Sequence, residues 1–165
     1  VPSNFTTFYQ NNLDDEEMEQ ANIKLNNKIL HQSKLINYLK LEKSKNDPTK
    51  DINDFLKKIK KNKKYFFSKK DIILVETFKS DGIKILEKYN DLYQINDSEI
   101  PSDIQIFVNS GDMAAALLRI VEVIGQDNLN NIDEDTLYFI ISTLNQLNAD
   151  PLRNRILFKV LPLKV

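Results

Sequence analysis

The chain has 165 residues, 41% of them hydrophobic and 28% charged, with a net charge of −1 and no cysteine. That length can bury a core without covalent staples. The missing thiols exclude disulfides, thiolate metal sites and a cysteine nucleophile. No stretch approaches the roughly 20 apolar residues needed to span a bilayer, and Val1-Pro2-Ser3-Asn4 lacks the basic region and apolar core of a signal peptide. An intracellular protein, cytoplasmic or nuclear, is the expectation, and both ends of the chain read as cuts from a longer one.

Residues 1–12 are polar, with Phe5, Phe8 and Tyr9 scattered among them, and are expected to be extended or poorly ordered. Residues 13–165 are expected to form a single helical domain. Asp14-Asp15-Glu16-Glu17 suits the first turn of a helix, and from there to about Lys45 apolar residues recur with a seven-residue period. Met18, Leu25 and Leu39 lie on one series, Asn22, Ile29 and Ile36 on its companion. This predicts one long helix whose stripe packs on its own domain or, alternatively, serves self-association through residues 18–39.

Asp47-Pro48 marks the start of the next helix, Asp47 as cap and Pro48 at the first position. Ile52, Phe55, Leu56 and Ile59 line one face of it. Ser68-Lys69-Lys70-Asp71 fits a capping box and opens a helix that is apolar on most of its circumference, from Ile72 to Phe78. Gly82 ends it, and Ile83, Leu86 and Tyr89 predict another helix directly after. A short helix over 103–109 stops at Ser110-Gly111. Met113, Leu117, Ile120, Val121 and Ile124 mark the next, ended by Gly125. Asp133 caps a helix with Leu137, Ile140, Ile141 and Leu144 on its buried side. Asp150-Pro151 starts the last, with a strand over 156–161 as the alternative. Three glycines and five prolines are too few for a many-turned β-fold. The expected fold is all-α, with seven to eight helices in a superhelix or an irregular bundle.

Two segments share one design, an apolar helix, a Ser-Gly break and a second apolar helix. They are Ile72 to Leu86, broken at Ser80-Asp81-Gly82, and Ile104 to Ile124, broken at Ser110-Gly111. Both resemble the junction between the second and third helices of an armadillo-like repeat. Leu144 to Leu163 is a partial echo. The resemblance covers about half the chain, and the 29 residues between Gly82 and Gly111 fall short of the roughly 40-residue period of such repeats. It implies a scaffold that binds another protein and has no catalytic centre, and it assigns no residues.

Site chemistry is sparse. His31 is the only histidine, so neither a histidine cluster for a metal nor a Gly-x-Ser-x-Gly elbow is present. Asp133-Glu134-Asp135 fails the spacing of a calcium loop and reads as a helix start. No cofactor, metal or catalytic residue is assigned. The sharp feature is the run from residue 57 to residue 70, which holds Lys57, Lys58, Lys60, Lys61, Lys63, Lys64, Lys69 and Lys70 around Tyr65-Phe66-Phe67. These lysines and Tyr65 are the candidate contacts for a partner. That partner is another protein or, in a second reading, nucleic acid or an anionic lipid surface. Ile59, Phe66 and Phe67 are expected to anchor the connection in the core. Charge is also segregated along the chain. Residues 34–70 carry 13 lysines against 4 acids, and residues 97–150 carry 10 acids against Arg119 alone, a polarity that concerns partners rather than fold.

Overall fold

A computed structural model describes residue 8 and residues 23–40, 47–93, 101–125 and 128–164. Among them are six α-helices: α1 (Thr49–Lys61), α2 (Lys69–Ser80), α3 (Ser102–Ser110), α4 (Met113–Ile124), α5 (Glu134–Gln146) and α6 (Asp150–Val160). Four 3-10 helices join them, at Leu30–Gln32, Lys34–Leu39, Glu87–Leu92 and Leu129–Asn131. The fold is all-α. Its one sheet among these residues is a two-residue antiparallel ladder, β1 (Ile23–Lys24) against β2 (Leu163–Lys164), with Ile23 opposite Lys164 and Lys24 opposite Leu163.

The core is organised around α2. Ile73, Leu74, Val75, Thr77 and Phe78 are buried along it, so apolar residues fill most of its circumference, as expected of a central helix. Its principal neighbour is α5, which buries Leu137, Ile140, Ile141 and Leu144. Helix α1 is amphipathic, with Ile52, Leu56 and Ile59 buried on one side. Pro48 itself takes the N-cap position, with no side-chain cap, where the sequence expectation had Asp47; Asp47 stands one residue earlier, its Oδ1 accepting from the Thr49 amide at 2.9 Å and the Thr49 hydroxyl at 2.6 Å. At α2 the capping box is complete, Ser68 accepting from the Asp71 amide and Asp71 from the Ser68 amide. Asp112 and Asp133 cap α4 and α5 through the amides of Ala115 and Thr136. The segment from Ile156 to Val160 is helical rather than a strand.

Three sequence expectations require correction. The long helix to Lys45 is absent over residues 23–40, where β1 and two 3-10 helices stand instead. Met18, Asn22 and residues 41–46 lie outside the described residues. Short polar side chains divert the backbone here: Asn26 Oδ1 accepts from the Lys28 amide, Asn27 Oδ1 from the Lys34 amide, and Ser33 Oγ from the Leu35 amide while donating to the Leu30 carbonyl. Such local bonds compete with a helical ladder. The proposed stripe is thereby broken, with Leu25 exposed and the off-series Leu30 and Leu35 buried.

Ile83 to Leu86 is likewise not helical, and a 3-10 helix starts only at Glu87. Asn53 of α1 holds this stretch out, accepting from the Leu86 amide at 3.0 Å and donating to the Lys84 carbonyl at 2.9 Å. Of the two armadillo-like junctions, only Gly111 therefore leads straight from helix to helix. Phe8, inside the segment expected to be extended, is helical and 5% exposed, and it joins the core. The remainder of residues 1–12 lies outside the described residues.

Candidate interaction face

Helix α1 advances about 100° per residue, which sets Lys50, Lys57 and Lys61 within about 40° of one another on the side opposite Ile52, Leu56 and Ile59. Lys58 and Lys60 flank this stripe. Lys57, Lys58, Lys60 and Lys61 are all exposed, as are Lys63 and Lys64 in the connection to α2. Among the described residues none of Lys57, Lys58, Lys61, Lys63 and Lys64 lies within ion-pair distance of a carboxylate. Lys60 is tied down, its Nζ donating to the Lys88 carbonyl at 2.6 Å and lying 5.8 Å from the Tyr89 ring centre.

The other candidates sit differently. Lys69 pairs with Asp135 at the start of α5 and lies over the Tyr138 ring, so it clamps α2 to α5. Lys70 is half-buried. Tyr65 is structural in its contacts: its hydroxyl donates to Asp71 Oδ2 at 2.8 Å and accepts from the Leu30 amide at 2.9 Å. Burial, together with the Asp71 carboxylate beside it, pushes the phenol well above its usual pKa despite the opposing Leu30 amide.

Phe66, expected in the core, is instead 85% exposed. Its neighbours turn inward, Tyr65 meeting Phe55 and Phe67 edge-on, and Phe67 packing at 6.2 Å from Tyr93. The link is extended as it enters Ser68, and alternate residues of extended chain face opposite ways. Two inward aromatics leave the middle one outside. That alternation was the available signal for Phe66, and three aromatics in a row obscured it.

Beside α1, against the second 3-10 helix, lies a cleft of about 340 Å³ lined by Lys34, Asp51, Asp54, Phe55 and Lys58 among others. Lys34 pairs with Asp51 at 3.6 Å. Two lysines and two aspartates share its lining, so it does not extend the basic face.

Beneath the face is a buried polar node. Asp71 Oδ1 accepts from His31 Nδ1 at 2.6 Å and from the His31 amide at 3.0 Å. Burial pushes the Asp71 carboxyl up, but hydrogen bonds from His31 and Tyr65 and the adjacent imidazole outweigh it and hold the group below its usual value. Ser68 Oγ approaches the same His31 Nδ1, at 3.4 Å. A proton relay needs serine and carboxylate on opposite ring nitrogens, so the trio secures the start of α2 and does not form a nucleophile. Among the described residues no group of three or more His, Asp or Glu side chains is placed to hold a metal ion, and no helix is long and apolar enough to cross a membrane.

No protein-family model matches this chain, nor does any curated protein or solved structure.

Proposed function

We propose that this chain is a non-catalytic interaction domain of the scaffold or adaptor kind, and that it docks an acidic partner protein on the outer face of α1 and the α1–α2 connection. The observation that carries this reading is the set of five exposed lysines, Lys57, Lys58, Lys61, Lys63 and Lys64, that meet no carboxylate of their own among the described residues. A field of one sign steers an oppositely charged partner and sets the docking register. The helix pair α3–Gly111–α4 supports a scaffold of armadillo-like character, since paired helices of that kind offer surfaces rather than catalytic clefts.

Nucleic acid is the weaker fit. Arginine, which forks onto phosphate and guanine, is absent from residues 57–70. With Tyr65 and Phe67 turned inward, Phe66 alone is left to stack, whereas single-strand binders offer a platform for successive bases. A bilayer also fits less well. The free lysines of α1, Lys57, Lys58 and Lys61, fan round an arc of about 100°, and Lys63 and Lys64 follow in the connection, a curved array that a flexible acidic chain tracks better than a flat surface does.

The test is fluorescence anisotropy with a labelled decaglutamate peptide at 20 mM and 300 mM salt. Wild-type protein should bind at low salt and release at high salt. A variant with Lys57, Lys61, Lys63 and Lys64 changed to Glu should lose at least about tenfold in affinity with an unaltered circular dichroism spectrum. Equal binding by the two proteins overturns the proposal. Tighter binding of an oligothymidylate, or of phosphatidylserine vesicles, moves the face to one of those partners.

A further inference from the structure

Resting on that reading, we propose that the partner's docking segment is an extended acidic stretch with carboxylates at alternate positions and a large apolar side chain at its end, the apolar group seating against Phe66. Two independent features point there. Lys57 and Lys61 are one turn apart on α1, a separation of about 6 Å along the axis. Residues i and i+2 of an extended chain lie on one face at about 6.7 Å, so a Glu-x-Glu pair spans the two amines without bending and turns the intervening residue away. Phe66 supplies the apolar half. At 85% exposure it is the most exposed of the large hydrophobic residues described, and it stands two residues beyond Lys64 in the connection between α1 and α2.

An isolated exposed aromatic needs no explanation in itself. This one differs in where it stands. Exposed lysines precede it, and Tyr65 and Phe67 on either side are fixed to Asp71, Phe55 and Tyr93, so the ring is presented from a backbone that is already anchored. Anchored aromatics bordered by polar groups give an interface its energy, while the surrounding charges give it register. Charge alone would accept any acidic chain. Phe66 makes the face discriminate among them.

Two fluorescein-labelled peptides separate these possibilities at 50 mM salt: (Glu-Gly)4, and the same repeat carrying Leu-Phe at one end and Phe-Leu at the other, so that either chain direction can be read. The second should bind about fivefold more tightly than the first. F66A should abolish that advantage without changing affinity for (Glu-Gly)4, and F66L should retain most of it. Because Phe66 is outside the core, F66A should keep the wild-type melting temperature, which confirms that the variant is folded. If both peptides bind equally, or F66A weakens both alike, the Phe66 inference is wrong and the basic docking face stands. Failure of both peptides to bind wild-type protein removes the docking face and this inference together.

Discussion

At the scale of single residues, two buried polar nodes join distant parts of the chain. Asp71 gathers the His31 ring and amide, the Tyr65 hydroxyl and the Ser68 amide. In D71A those donors lose their acceptor in the core, and the expected cost is about 3 kcal/mol or more, read from urea denaturation. Y65F removes one arm of the node and should cost about 1 kcal/mol. The node also gives a pH dependence of known sign. Its folded-state carboxyl is held below the usual value, so its contribution is present above the unfolded carboxylate pKa and is lost as pH falls through the folded one. Wild-type stability should therefore decline on acidification below about pH 4, and D71N, weaker at neutral pH, should decline less over that interval.

The second node is Arg153, which is fully buried. Its guanidinium forks onto Asp81 at 2.7 and 2.8 Å, and it also reaches Asn145 at 3.0 Å and Asn154 at 2.8 Å. Tyr38 donates to the same Asp81 carboxylate at 2.8 Å. Arg153 thus ties α6 to the residue after α2 and to the second 3-10 helix. R153M keeps much of the side-chain volume but leaves Asp81 without its cation. It should lower stability by about 3–5 kcal/mol in the same denaturation measurement, and the double variant R153M/D81N should recover part of that loss.

At the scale of elements, helix starts and stops were legible because their causes are local. Ser68 with Asp71, Asp112 and Asp133 each bond an amide within three residues. Gly111 ends α3 at φ +74°, a conformation that costs an L residue about 1 kcal/mol. G111A should lose that much, and S68A a comparable amount through the missing cap, both read as a lowered thermal midpoint. Residues 23–40 and 83–86 depart from the helical expectation for the complementary reason. Their apolar spacing is compatible with a helix, yet the bonds that decide the backbone come from side chains of Asn26, Asn27 and Ser33 and, across 31 to 33 residues, from Asn53. Apolar periodicity records which residues are buried and leaves open which carbonyl each amide finds. Replacing Asn53 with Ala should loosen Lys84 to Leu86, seen as faster amide hydrogen exchange at Leu86 with exchange along α2 little changed.

At the scale of the whole molecule, positive charge gathers on the outer side of α1 and its connection to α2, while many acids of residues 97–150 are spent on local structure. Asp112 and Asp133 cap helices, and Asp103 pairs with Arg119 at 2.7 Å. Self-association through one long helix over residues 18–39 has no α-helix to use within the described residues 23–40, which hold two short 3-10 helices instead. Composition, apolar period and local capping residues by themselves determined that the chain is all-α, where most helices begin and end, and that the lysines from Lys57 to Lys64 lie outward, because each follows from interactions within a turn or two of helix. Only the tertiary structure decided that His31 and Tyr65 belong to one buried node with Asp71, that Lys60 and Lys69 are engaged, and that Phe66 alone of three adjacent aromatics faces water. Those outcomes depend on which surfaces meet across as many as 66 residues of chain, and local spacing does not say which distant element a side chain meets.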